Sequence, residues 1–229
     1  AVPNPAIPLA DYATALHASS LVVDGGTLQI GIGALGDAVA HALLLRHRRS
    51  ADYRAALRAL GGNAGGGRFE EGLYVSTEMF VNGMLRLMEA GIVRRRVYDN
   101  LALQEGLNAG VITDTIDETL YRYARDHGLL PRVLDAGALV RGQDWGLLPE
   151  ALTLAGDALS LGGATLVNDL DDAGTRTQLL DRVGGRLLRQ GRVIHGGFFL
   201  GPRDFYAKLC SLDDDARDLY RREHLAEQQ

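Results

Sequence analysis

The chain has 229 residues, 46% hydrophobic and 23% charged, with a formal net charge of −5. This is ordinary soluble-globular composition, long enough for a substantial core in one domain or in one domain carrying an insertion. The acidic balance excludes a global electrostatic attraction to nucleic acid or to an anionic membrane.

The chain opens on Ala1-Val2-Pro3-Asn4-Pro5-Ala6-Ile7-Pro8, which lacks the basic and apolar regions of a signal peptide and reads as an interdomain linker. Leu9, Tyr12, Leu16 and Ser20 stand at helical spacing over residues 9–21. Asp24-Gly25-Gly26 signals a turn, and Thr27 to Ile32 alternates as a strand. A long helix is expected from about Leu35, with Leu35, Val39 and Leu43 on one face and arginines near its end. The tract Gly61-Gly62-Asn63-Ala64-Gly65-Gly66-Gly67 predicts a flexible loop, because so many glycines cost too much entropy elsewhere. A short strand, Leu73 to Ser76, then gives way to a helix with Val81, Met84, Leu85 and Met88 on one face and Gly91 at its end.

From Asn100 to about Gln190 helical stretches such as Asp114 to His127 are followed by glycine turns and short apolar runs, which reads as an inserted subdomain. Arg192 to Phe199 returns as a buried strand, and Pro202 starts a closing helix through Leu209. Strand–helix units joined by glycine turns predict the α/β class, with a central sheet flanked by helices and a largely helical insertion. The expected division is residues 1–99, 100–190 and 191–229, the first and last forming one domain.

Cys210 is the only cysteine, so an internal disulfide and a cysteine-built metal site are excluded. His17, His41, His47, His127 and His224 lack metal-ligand spacing, and no metal is assigned. Lys208 is the only lysine, so a Schiff-base mechanism has one candidate. No apolar run is long enough to span a bilayer, and a cytoplasmic location is the expectation. Gly31-Ile32-Gly33-Ala34-Leu35-Gly36 matches a dinucleotide fingerprint, but Asp52, the acid nearby, follows the polar helix end Arg46-His47-Arg48-Arg49-Ser50 where a second strand is required. The Gly31 and Gly33 pair suits close approach of an acyl or pantetheine group to the backbone. The glycine tract of residues 61–67 has no lysine or Ser/Thr after it, so it is not a Walker loop.

Glu78 stands where the short strand meets the helix, with Thr77 as the expected N-cap. A first-turn acid offsets the helix macrodipole, and the same position aims a carboxylate off the end of a sheet, where α/β proteins place ligands. His195 precedes Gly196 and Gly197 at a strand end and reads as a packed or solvent-edge histidine, since no serine or cysteine nucleophile elbow accompanies it. Arg94-Arg95-Arg96 follows a helix C-terminus and reads as a solvated cluster that complements the dipole, with a CoA phosphate contact as the alternative.

Three segments in order resemble the C-terminal catalytic half of the acetyl-CoA hydrolase/transferase family of CoA-transferases. They are Asp24-Gly25-Gly26-Thr27-Leu28-Gln29-Ile30-Gly31-Ile32-Gly33, then Ser76-Thr77-Glu78-Met79-Phe80 with Gly83, then Gly197-Phe198-Phe199-Leu200-Gly201 with Phe205-Tyr206. Coverage is roughly residues 13–98 and 191–209. Gly36 stands where the family often has proline and Asn82 where it often has aspartate. The family's N-terminal half and a downstream glycine-rich element have no counterpart here.

The resemblance implies a CoA-transferase-like domain and an acyl-CoA:carboxylate CoA-transferase or acetyl-CoA hydrolase, working through a glutamyl-CoA thioester on Glu78. Gln29, Gly31, Gly33, Gly196 and Gly197 are the implied substrate-binding residues. Coenzyme A enters as substrate, with no tightly bound cofactor. The implied partners are an acyl-CoA and a small carboxylate, and either a second copy of the chain or the missing N-terminal half. A non-catalytic acyl-CoA-binding or assembly domain of the same fold is the alternative, and a nucleotide-binding α/β protein built on the Gly31 loop is a third reading.

Overall fold

The structure, a computed structural model, describes residues 6–63 and 65–222. The proline-rich start up to Pro5, Ala64 of the glycine tract and His224 lie outside the described residues. The chain divides into two units, Ala1–Val97 with Arg192–Gln229, and Tyr98–Gly191.

In chain order the first unit supplies α1 (Leu9–Ser20), β1 (Thr27–Leu28), α2 (Ala34–Arg48), α3 (Ser50–Ala59), β2 (Tyr74–Val81) and α4 (Asn82–Glu89). The second unit supplies α5 (Leu101–Asn108), α6 (Glu118–Asp126), α7 (Ala136–Asp144), β3 (Thr153–Ala155), β4 (Ala158–Leu161), β5 (Ala164–Val167) and α8 (Ala173–Val183). The chain then returns to the first unit with β6 (Ile194–Leu200), α9 (Arg203–Cys210), α10 (Asp214–Asp218) and β7 (Tyr220–Arg222).

The first unit is built on a sheet of order β1-β2-β6-β7, parallel at every described pairing. Parallel neighbours need crossovers, and α2 with α3 supplies the one between β1 and β2. Leu28, Val75 and Ile194 from three strands bury with Leu43, Met84, Leu85 and Leu87 into one apolar cluster. Helix α4 seats closely on α2 because Gly83 has no side chain: a Cβ there would lie 3.0 Å from the Cβ of Ala40. Together these features make the chain α/β.

Two tertiary ties hold the loops of this unit. The Asp24 carboxylate accepts the backbone N–H groups of Gly25, Glu70, Glu71 and Gly72 at 2.6–3.1 Å, fastening the chain ahead of β1 to the chain ahead of β2. Burial opposes its charge, but these four donors outweigh that and hold the carboxyl below the usual aspartate range. Arg46, near the end of α2, is only 3% exposed. It donates to the carbonyls of Ser19, Val22 and Gly67 at 2.6–2.9 Å and lies over the Phe69 ring at 4.4 Å. The glycine tract expected to be free is therefore fastened at Gly67, and this arginine belongs to the core, not to a polar helix end.

Several boundaries differ from the sequence reading. The expected strand over Thr27 to Ile32 pairs only at Thr27 and Leu28. The turn into α2 begins at once: a side chain on Gly36 would meet the Gly31 carbonyl oxygen at 2.2 Å. Strand β6 is buried at Ile194, whereas Phe198 and Phe199 are exposed. The long helix from Leu35 breaks at Arg49 into α2 and α3.

The second unit is not wholly helical. Residues 153–167 form the antiparallel sheet β3-β4-β5, and Gly162-Gly163, both at positive φ, make its two-residue turn. Helices α5 to α8 begin at Asn100, Asp117, Asp135 and Asp172, whose side chains each accept a backbone N–H of the first turn. Their inner faces enclose Leu120, Tyr121, Leu130, Leu159 and Leu179 in a core of their own.

Candidate active site

Glu78 does not start a helix. It is the fifth residue of β2, and α4 begins at Asn82. The Thr77 hydroxyl, expected to cap a helix, donates to the Met79 carbonyl at 3.1 Å. The strand continues because β6 pairs with it as far as Val81 opposite Leu200. The macrodipole argument for this carboxylate therefore does not apply, and Glu78 is exposed on a strand.

The register brings one glycine segment beside it. Thr77 pairs with Gly196 and Met79 with Phe198, so Glu78 stands across from Gly197. A Cβ on Gly197 would approach the Glu78 carbonyl oxygen at 3.3 Å, tighter than at Gly196, where the nearest atom is at 3.5 Å. The other glycine segment follows the end of β1, the strand on the opposite side of β2. Gln29, Gly31 and Gly33 are exposed there, and a Cβ on Gly31 or Gly33 would meet nothing within 4 Å. Among the described residues the amides of Gly31 and Gly33 donate to no acceptor, which leaves two backbone N–H groups open to a ligand. Gly33 also needs its freedom for conformational reasons, with φ 106° at the residue preceding α2.

Side chains on a strand alternate between faces, and paired residues share a face. Thr27 pairs with Tyr74 and Ser76 with His195, so Thr27, Tyr74, Ser76, Glu78 and His195 occupy one side of the sheet. Leu28, Val75 and Ile194 occupy the other and are buried in the core cluster, to which Phe80, further along β2 in the Glu78 set, also contributes. The Tyr74 hydroxyl and His195 Nδ1 are hydrogen-bonded. The Arg95 guanidinium lies 5.7 Å from the Tyr74 ring centroid and donates from Nη2 to Thr27 Oγ1 at 3.1 Å. Arg94 donates to the carbonyls of Phe69 and Glu70. Arg94 and Arg95 are thus engaged with the loop before β2 and with the sheet, instead of forming a solvated cluster after α4.

From sequence, Tyr74 and Ser76 read only as strand residues, His195 as a packed or solvent-edge histidine and Arg95 as part of a solvated cluster with a CoA phosphate contact as the alternative; none is placed on the Glu78 face from sequence. The usable signal was the alternation Tyr74-Ser76-Glu78 against Val75-Thr77-Met79, which emerges only when the strand is carried past Ser76. The fingerprint glycines do follow a strand and precede a helix. Downstream of α2, however, comes α3, where Asp52 pairs with Arg49 at 2.6 Å. A cleft of about 230 Å³, lined by Tyr12, Asp37, His41, Asn82, Gly83 and Arg86, contains neither Glu78 nor any of the implied substrate-binding residues. Among the described residues no group of three His, Cys, Asp or Glu side chains could hold a metal ion, and no helix is long and apolar enough to cross a membrane. No protein-family model matches the chain, and no curated protein matches it.

Proposed function

We propose that the chain carries the catalytic glutamate of an acyl-CoA:carboxylate CoA-transferase or acetyl-CoA hydrolase, with Glu78 as nucleophile and coenzyme A as substrate. The reading rests on the family resemblance. The observation that supports it most is Glu78 standing across from Gly197, on a strand whose neighbouring loop offers the free amides of Gly31 and Gly33.

In this reading a Glu78 carboxylate oxygen attacks the thioester carbonyl and CoA leaves as thiolate, giving an acyl-glutamyl anhydride. The thiolate then attacks the glutamyl carbonyl, releasing the acyl group as a carboxylate and leaving CoA on Glu78. An acceptor carboxylate reverses these steps to form the new acyl-CoA, whereas water releases free CoA. The amides of Gly31 and Gly33 are the candidate donors to the tetrahedral oxyanion, which is where such donors contribute most.

A carboxylate is a weak nucleophile and needs a dry site. Glu78 is exposed, and Ile32, Leu35 and Phe198 nearby in sequence to the site residues are 56%, 46% and 43% exposed. A covering protein, either a second copy or a further half of the enzyme, would bury them. The same exposure favours a second reading, an acyl-CoA-binding or assembly domain of this fold without turnover.

Acetate-dependent CoA exchange separates the two. Glu78→Gln is expected to lose on the order of a thousandfold or more in rate with its folding intact. Glu78→Asp, which draws the carboxylate back by about 1 Å, is expected to lose on the order of a hundredfold. Wild-type exchange in Glu78→Gln contradicts the catalytic reading. Acyl-CoA binding without exchange in the unaltered protein supports the second.

A further inference from the structure

Arg95 is held in a way that a solvated arginine is not. One nitrogen of its guanidinium donates to Thr27, the group lies over Tyr74, and its Nε is buried with no hydrogen-bond partner. Among the described residues no carboxylate forms an ion pair with it. Burial works against its charge, with Tyr74 and Glu71 offsetting this in part. A buried donor left unpaired on a charged group is costly, and a guanidinium fork is matched to carboxylate or phosphate oxygens. His195, hydrogen-bonded to the same Tyr74, stands on that face.

We infer that Arg95, positioned by Thr27 and Tyr74 and flanked by His195, forms an anion subsite on the face of the sheet that carries Glu78. Tyr74 and Glu78 are four residues apart on β2, about 13 Å along an extended strand. The subsite therefore receives an anionic group remote from the reacting carbonyl, a phosphate of CoA at the end of the pantetheine arm; the distal carboxylate of a short acyl group such as succinyl does not span that distance. The identity of that substrate rests on the proposed transferase reading; the anion subsite itself does not.

The test compares the unaltered protein with Arg95→Met on three thioesters: acetyl-CoA, succinyl-CoA and acetyl-pantetheine, which lacks the nucleotide phosphates. With a CoA phosphate in the subsite, KM rises for both CoA thioesters and not for acetyl-pantetheine. A rise in KM of about tenfold or more for succinyl-CoA alone would put the anion on the acyl group and overturn the phosphate subsite. An equal change for all three, or none, overturns the subsite. Where the unaltered protein turns over none of them, the transferase reading fails, and calorimetric titration with succinate and with inorganic phosphate decides the subsite alone. Binding of either probe that Arg95→Met abolishes supports it, and no binding of either overturns it. Should Arg95→Met fail to fold, the Arg95 Nε–H resonance of the unaltered protein, assigned with Arg95→Lys, is followed during the same titrations. A shift on adding either probe supports the subsite, and a stationary signal overturns it.

Discussion

The two units start their helices differently. In Tyr98–Gly191 each of α5 to α8 begins at an asparagine or aspartate whose side chain accepts a first-turn N–H. In the other unit α1 to α4 and α9 begin at Pro8, Gly33, Arg49, Val81 and Pro202, none with a side-chain cap, and only the short α10 is capped, by Asp213. One unit writes its helix ends locally. The other relies on ties between distant residues, Asp24 to the loop before β2 and Arg46 to three carbonyls, and leaves open the amides preceding α2. Uncapped donors and a glycine turn are poor local design and suitable ligand chemistry, which is why the unit with the weaker local signals holds the candidate site.

That contrast can be broken at its strongest tie. Arg46→Met strands the carbonyls of Ser19, Val22 and Gly67 in a partly buried setting and is expected to cost about 3–5 kcal/mol, read as a lower denaturant midpoint. A loss below about 1 kcal/mol would mean that the loops are held by something else.

Asp24→Asn is expected to cost about 2 kcal/mol, because the amide cannot accept four N–H groups as the carboxylate does. The folded carboxyl lies below its ordinary value, so its contribution is present in full above about pH 4 and disappears as pH falls through the depressed folded value. The stability gap between the two proteins should therefore close in acid. A gap that widened as pH fell would contradict the assignment.

The glycines sharpen the comparison within the site. Gly33→Ala forces a side chain onto φ 106° and is expected to cost about 1–2 kcal/mol. Gly31→Val meets open space and should leave thermal stability nearly unchanged while weakening acyl-CoA binding. If Gly31→Val unfolds the protein and the folded remainder binds normally, that loop is structural. The smallest effects belong to the locally written unit, where Asp117→Ala and Asp135→Ala should each cost about 1 kcal/mol in chemical denaturation.

Much of the secondary structure was legible from periodicity. Leu9 to Ser20 is helical, and strands occupy the chain near Tyr74 and Ile194. The end of β2 was not legible, because Thr77-Glu78-Met79 suits a helix start as well as a strand. Pairing with a strand more than a hundred residues later decides it. β7, after the expected closing helix, had no local signal and exists through its pairing with β6. The hairpins of residues 153–167 did carry one, Leu159, Leu161 and Leu166 alternating around Gly162-Gly163, but the glycines read as generic turns. At the candidate site, Glu78 and the glycines came from the family resemblance. Arg95 and His195 needed the sheet register, since nothing near them in the chain marks them as neighbours of Tyr74.

The central claim is that Glu78 carries CoA covalently. Incubation with acetyl-CoA followed by hydroxylamine converts a glutamyl thioester into a hydroxamate, which peptide mass mapping locates. The account predicts that this label falls on Glu78 in the unaltered protein and is absent from Glu78→Gln. A protein that turns over acetyl-CoA with no label at Glu78, or with the label on another residue, contradicts it.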